Sequence, residues 1–181
     1  MSSKYEDYIA YLDDRGVKES VMHRILRPKH CEFICDLAKD RSFSNILEIG
    51  RSKGHSLGLF KYLFPGSMIT SVDIVRHSEA DVIVDIFNND KSITLIDGDI
   101  TNLKTDSIFD LILIDGDHTY QGCKKDWDNI QQYIESGSVV LIDDLNHPHG
   151  CGKVFYENIN HYNHEVIMNE ESVEGLGVIY I

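Results

Sequence analysis

From Asn45 to Ile181, short apolar runs alternate with amphipathic stretches, and few folds accommodate that pattern. The runs are Ile46–Ile49, Met68–Val72, Ile93–Ile96, Phe109–Ile114, Val139–Ile142, Glu165–Met168 and Gly177–Ile181. Most are β-branched-rich and lack polar alternation, as strands buried on both faces do. Between them Ser56–Phe64, Ser78–Asn88, Tyr120–Glu135 and Gly152–His161 carry apolar residues at helical spacing. Strand–helix alternation predicts a parallel α/β sheet with right-handed crossovers. The last two runs are joined by a short acidic, glycine-containing link, Asn169 to Gly175, and are expected to pair antiparallel. Residues 1–44 read as helical, broken near Gly16 and Pro28, and form a cap on the core at 45–181. The length of 181 residues predicts one domain with a full core.

Charge narrows the partners. The formal net charge is −13, with no Lys/Arg cluster to offset it, which argues against a nucleic-acid backbone or an anionic membrane. The apolar runs are shorter than the ~18 residues a membrane span requires. The first residues, MSSKYEDYIAYLDD, have no secretory apolar region. The four cysteines (Cys31, Cys35, Cys123, Cys151) form no C-x-x-C and no paired framework, so reduced thiols and a cytoplasmic location are expected. Cys31 and Cys35 share a helical face and are expected to be half-buried.

The first strand runs into Glu48-Ile49-Gly50-Arg51-Ser52-Lys53-Gly54-His55-Ser56. Strand, glycine turn and helix together let a cofactor approach backbone N–H groups. Ser52 stands where the dinucleotide fingerprint needs its second glycine, and no Gly-Lys-Ser/Thr ending makes a P-loop. A pyrophosphate is therefore not the favoured guest. About 20 residues further on, the second strand ends in Asp73, which is placed to accept both ribose hydroxyls. The third ends in Asp97-Gly98-Asp99, suited to an adenine edge. Each residue has a plainer reading: Glu48 orients the loop, Asp73 caps a helix, and Asp99 belongs to a turn.

The fourth and fifth strands end in Asp115-Gly116-Asp117-His118 and Asp143-Asp144. Paired strands lie roughly 4.8 Å apart, so Asp115 and Asp143 would crowd one sheet edge. Like charges that close raise each other's pKa unless a cation intervenes, which raises the question of a metal. The plainer reading is that these aspartates cap loops. Asp117 is expected to cap the following helix, Tyr120 and Trp127 to pack it onto the sheet, and Lys124 and Lys125 to form its solvated face. His147 and His149 follow the acidic pair as further ligands, substrate contacts or exposed loop residues.

The motifs LEIGRSKGHS, SVDI, IDGD and FDLILIDGDH, in this order and spacing, resemble those of class I S-adenosylmethionine-dependent methyltransferases. E-x-G-x-x-x-G-x-S is similar to the catechol-type and macrocin-type O-methyltransferase branch. The resemblance spans Asn45 to Ile181. It implies a Rossmann-like three-layer α/β sandwich whose seven-stranded, mostly parallel sheet has the order 3-2-1-4-5-7-6, with strand 7 antiparallel. It implies S-adenosylmethionine contacts from Glu48, Gly50, Ser56, Asp73 and Asp99, with Arg51, Gly54, Ile74, Gly98 and Asp115 completing the expected set. It also implies a divalent cation on Asp115, Asp143 and Asp144; hard oxygen ligands suit Mg²⁺ first, with Mn²⁺ or Ca²⁺ as alternatives. Catechol-type members carry a lysine base three residues past the first metal ligand. This chain departs from them and looks like the macrocin-type members, with His118 as base.

The activity so implied is metal-assisted O-methylation of a small-molecule hydroxyl, a vicinal diol in a sugar or catechol. Two alternatives stay open: a metal-independent methyltransferase on another acceptor, and a non-catalytic cofactor-binding partner subunit. The chain is short for the branch and shows no long lid insertion, so either a neighbouring subunit of a homo-oligomer closes the site, or the acceptor is bulky, or activity has been lost.

Overall fold

A computed structural model describes residues 3–18, 26–87, 91–145, 150–169 and 174–181. Its helices are α1 (Lys4–Asp13), α2 (Pro28–Asp40), α3 (His55–Leu63), α4 (Ser78–Phe87), α5 (Tyr120–Ile130) and α6 (Cys151–Asn158). Its strands are β1 (Asn45–Ile49), β2 (Met68–Asp73), β3 (Ile93–Asp97), β4 (Leu111–Ile114), β5 (Val139–Ile142), β6 (Asn163–Met168) and β7 (Gly175–Tyr180). The seven strands form one sheet in the order β3-β2-β1-β4-β5-β7-β6. β3, β2, β1, β4 and β5 run parallel, and β7 pairs antiparallel with β5 and β6. This is the predicted topology, including the antiparallel terminal pair.

The central strands are apolar on both faces because helices cover both. On one face, Ile46, Ile69 and Leu113 pack with Tyr8 of α1, Ile34 of α2, Leu57 and Phe60 of α3 and Ile83 of α4. On the other, Leu47, Ile112, Val140 and Ile179 pack with Trp127 and Ile130 of α5 and Val154 and Phe155 of α6. Full burial of one such aliphatic side chain contributes roughly 1.5–3 kcal/mol. Two helical layers therefore sandwich the sheet, and the loops at its carboxyl edge remain for function.

Local differences from the sequence reading have local causes. The fourth strand starts at Leu111, not Phe109. The Asp110 carboxylate there accepts the backbone N–H groups of Ser44 (2.7 Å) and Asn45 (3.0 Å). Those bonds tie the entry of β1 to the entry of β4 before ladder pairing begins. α5 ends at Ile130 and continues only as a 3₁₀ turn over Gln131–Tyr133, and α6 likewise passes into 3₁₀ turn at Ile159–His161. Asn88, the expected end of the fourth helical stretch, lies outside the described residues. Cys31 and Cys35 are buried in the core, not half-buried, and all four thiols are free. Among the described residues, no helix is long and apolar enough to cross a membrane.

The N-terminal cap braces the glycine turn. Ser3 and Glu6 make a capping box that starts α1. The Tyr8 hydroxyl donates to the His55 carbonyl at 2.8 Å, and Tyr5 Oη lies 3.3 Å from His55 Nε2. The first residue of α3 is thereby fixed from behind by α1.

Candidate active site

Because five neighbouring strands are parallel, their carboxyl ends and following loops share one edge. A cavity of about 450 Å³ opens there. It is lined by Gly50 and Ser52 after β1, Asp73 and Ile74 after β2, Gly98, Asp99 and Ile100 after β3, and Asp115, Gly116 and His118 after β4. Gly122, Lys125 and Asp126 of α5 close one side. The volume suits a nucleoside-sized guest.

Gly50 makes the cavity floor possible. Its φ is +92°, and a Cβ at this position would fall 1.9 Å from the Asp115 carbonyl oxygen. Only glycine lets the β1 turn pass that close to the end of β4. Behind it lies Glu48, fully buried, which accepts the Ser56 hydroxyl at 2.5 Å and the Ser71 hydroxyl. Glu48 thus clamps α3 to β2, and Ser56 points to Glu48. Arg51 is also buried, donating to the Ser71 carbonyl (3.0 Å) and the Asp97 carboxylate (2.7 Å). Among the described residues, Glu48, Arg51, Gly54 and Ser56 shape the turn from outside the cavity lining, while Gly50, Asp73, Ile74, Gly98, Asp99 and Asp115 line it.

Burial pushes the Glu48 carboxyl up to about 7, against the opposing pull of its two serine bonds and the Arg51 charge. The folded chain therefore holds this proton to higher pH than the unfolded chain, where an ordinary carboxyl titrates near 4.5. The associated stability is full below about 4.5, falls as pH rises to about 7, and then levels off. The fall is on the order of 3 kcal/mol at most. Glu48→Gln is expected to remove this component. Denaturation at pH 5 and pH 8 should show the wild-type advantage over the variant shrinking at the higher pH, and a constant difference would refute the assignment.

Asp73 holds the next loop. Its two oxygens accept the backbone N–H groups of Ser52 and Val75, each at 2.7 Å. Each oxygen keeps a lone pair for a further donor in the cavity. Asp99 is more fully engaged: Oδ1 accepts the Thr101 N–H (3.0 Å) and hydroxyl (2.8 Å), and Oδ2 pairs with Lys125 at 2.5 Å. The Lys125 contact, followed by the Thr101 backbone bond, lowers the Asp99 carboxyl to about 2. Lys125 thus lines the cavity while staying exposed on the solvated face of α5, whereas Lys124 pairs outside the cavity with Asp128.

Asp115 and Asp143 follow register partners Ile114 and Ile142 and are both buried. His118 bridges to the second acid of the pair. Its Nε2 lies 3.2 Å from Asp115 Oδ1, and its Nδ1 meets Asp144 Oδ2. Asp144 takes a positive φ of 58°, an uncommon conformation for a residue with a side chain. Burial, with the Asp143 and Asp144 charges adding to it, raises the Asp115 carboxyl. The hydrogen bonds to Asp115 and then Asp144 push His118 up to about 11. The ring therefore carries a proton near neutrality in this arrangement. α2 adds His30, fully buried, whose Nδ1 lies 3.0 Å from Asp143 Oδ1 without hydrogen-bond alignment.

Among the described residues, no three or more histidine, cysteine or carboxylate side chains stand in the arrangement of a metal cage. The donor chemistry nevertheless fits a hard divalent cation. Asp115 Oδ2 and Asp143 Oδ1 are buried oxygens with no hydrogen-bond partner among the described residues. Asp144 would join them only by releasing His118.

Other expectations resolve plainly. Thr119, not Asp117, caps α5 by accepting the Gly122 N–H, while Asp117 accepts the Thr119 N–H at 2.9 Å one step earlier. Trp127 packs α5 onto the sheet as expected, and Tyr120 packs partly against the same cluster while its hydroxyl donates to Glu157 at 2.9 Å. His147 and His149 lie outside the described residues. Sequence reading missed Lys125, Asp126 and His30. Helical spacing from Cys123 and Trp127 would have placed Asp126 on the inner face of α5, but nothing local marks His30.

Residues 47–145, more than half of the chain, match the sequence profile of a family described as Methyltransferase domain. The chain belongs to this family, among the class I S-adenosylmethionine-dependent methyltransferases. No curated protein matches this methyltransferase by sequence. Solved structures share its fold. The O-methyltransferase TomG from Streptomyces achromogenes, involved in tomaymycin synthesis and solved with S-adenosylmethionine, is 13% identical with a TM-score of 0.72, over 100% of this chain and 90% of that one. The Bacillus cereus O-methyltransferase in complex with S-adenosylhomocysteine is 16% identical with a TM-score of 0.70, over 100% and 92%. The N-methyltransferase NodS from Bradyrhizobium japonicum is 17% identical with a TM-score of 0.60, over 82% and 91%. At these identities the likeness is one of fold, and the acceptor atom differs among the three proteins.

Proposed function

We propose that this methyltransferase binds S-adenosylmethionine in the carboxyl-edge cavity and methylates a hydroxyl of a small molecule. The observation that carries this reading is the junction of two features at the end of β4. Asp115 belongs both to the nucleoside-sized cavity and to the acidic cluster with Asp143, Asp144 and His118.

The turn around Gly50 and the Asp73 carboxylate hold the cofactor. S-adenosylmethionine supplies a methyl carbon on a sulfonium: as an oxygen lone pair forms the new C–O bond, the C–S bond breaks and its electrons stay on sulfur, leaving S-adenosylhomocysteine. Asp115, Asp143 and Asp144 would hold a divalent cation, which when bound supplies the positive charge that binds and acidifies the acceptor hydroxyl. A vicinal diol in a sugar or catechol suits such a site, because two adjacent oxygens chelate. His118, once parted from Asp115 and Asp144, loses the contacts that keep it protonated and takes the hydroxyl proton on a ring nitrogen. The enclosing side chains hold oxygen and methyl carbon in line, the condition that methyl transfer requires.

A second reading, metal-independent transfer, has its own support: the His118 ring already lies between Asp115 and Asp144 and balances their charge. Transfer of an isotopically labelled methyl group to a panel of sugar and catechol diols, with and without a chelator, separates the two. Activity abolished by chelator and restored by Mg²⁺ supports the first, and activity indifferent to chelator supports the second. Absence of transfer to every acceptor, with tight cofactor binding, would contradict both.

Asp73→Ala is expected to weaken S-adenosylhomocysteine binding. Loss of charged hydrogen bonds to the ribose amounts to about 1.5–3 kcal/mol, more than tenfold in affinity. Equal dissociation constants for variant and wild type would remove Asp73 from the cofactor site.

A further inference from the structure

Asp126 has no role in the mechanism above, yet it stands in the cavity wall. It is 7% exposed and lines the space between β3 and α5. Among the described residues its carboxyl makes no hydrogen bond or ion pair. Its Oδ2 lies directly beneath Gly116, where an added Cβ would approach it to 3.2 Å. The carboxyl faces the open cavity and not the closed core, so a ligand donor entering there is its natural complement. Asp99, which the sequence assigned to the adenine edge, has Oδ1 taken up twice by Thr101 and Oδ2 held by Lys125, so only one lone pair, beside the ammonium, is left. Asp73 and Asp126 line the same cavity, to which Ile74 and Ile100 add apolar side chains suited to the faces of a purine ring.

We infer that Asp126 accepts a hydrogen from the exocyclic amino group of adenine and so selects adenosyl over other nucleosyl cofactors. The inference rests on the proposed S-adenosylmethionine site. An ionised carboxyl only accepts hydrogen bonds. A 6-oxo purine brings a carbonyl oxygen to the same place, two acceptors face each other, and the analogue is rejected. Lys125 stays with Asp99 and takes no part in reading this edge.

Competition in equilibrium dialysis at pH 8.5 tests this. Labelled S-adenosylmethionine is displaced from the full chain by S-adenosylhomocysteine or by S-inosylhomocysteine. Wild type is expected to bind the inosyl compound at least about tenfold more weakly. In Asp126→Asn, whose amide both donates and accepts, and in Asp126→Ala, the two affinities should converge to within about threefold. A wild type that binds both equally overturns the inference, as does a folded variant that keeps the full discrimination. If neither variant folds, the wild type still decides. An analogue with unsubstituted purine in place of adenine should bind about tenfold more weakly, and equal binding overturns the inference. Wild type that retains no labelled cofactor strikes the nucleoside site itself, a separate failure.

Discussion

His118→Ala is expected to lower methyl-transfer turnover roughly 10²- to 10⁴-fold, the usual contribution of a positioned general base. The side chain is half-exposed at the mouth between the cavity and the acidic cluster, with one ring nitrogen at Asp115 and the other at Asp144. No other imidazole among the described residues lines the cavity, so the loss has no ready substitute there. Alanine also leaves Asp115 facing Asp143 and Asp144 without its nearest counter-charge, so a general loss of stability must be told apart from a loss of chemistry. His118→Gln makes that separation, because its amide still donates to one carboxylate but takes up no proton near neutrality. Single-turnover rates should fall in both variants, with S-adenosylhomocysteine affinity changing by less than about tenfold. Unchanged turnover in His118→Gln would remove the histidine from proton transfer and leave it a charge balance for the aspartates.

Gly50→Ala is expected to cost roughly 3–5 kcal/mol of stability, from left-handed backbone strain together with overpacking. The added carbon would meet the Asp115 carbonyl carbon at 2.4 Å and the Gly116 N at 2.8 Å, all backbone atoms that no rotamer change can move. Relief requires the β1 and β4 ends to separate, and those ends form the cavity floor. Gly66→Ala is the control, since an added Cβ there meets nothing within 4 Å. Its effect should stay within about 0.5 kcal/mol. Denaturant unfolding of both variants checks the contrast. Equal midpoints would mean that the close approach at Gly50 is not a structural requirement.

Legibility in the sequence followed the range over which a residue's role is decided. The sheet was readable because each strand carries its burial on its own surface: Val139–Ile142 is apolar throughout and lies between β4 and β7. Gly50 was readable because its turn sits at a fixed place after β1. The side-chain economy of the site was not readable, because it depends on partners far away in the chain. Lys125 is solvent-facing as its place on the helix implies, but only the fold shows that the turn after β3 brings Asp99 to 2.5 Å from it. Glu48 and Ser56 belong to the expected cofactor motif, yet burial turns them toward each other behind the turn. His30 reaches Asp143 only because α2 packs beside the sheet, and no local signal announces it. Asp117 and Thr119 are both good capping residues two positions apart, and the expectation fell on Asp117 where the structure uses Thr119.

The central claim is that the carboxyl-edge cavity is the S-adenosylmethionine site. Calorimetric titration of the wild-type chain with S-adenosylhomocysteine tests it most directly. The account predicts saturable binding at one site per chain, weakened more than tenfold by Asp73→Ala. No measurable heat across the titration, or identical isotherms for wild type and Asp73→Ala, would contradict it.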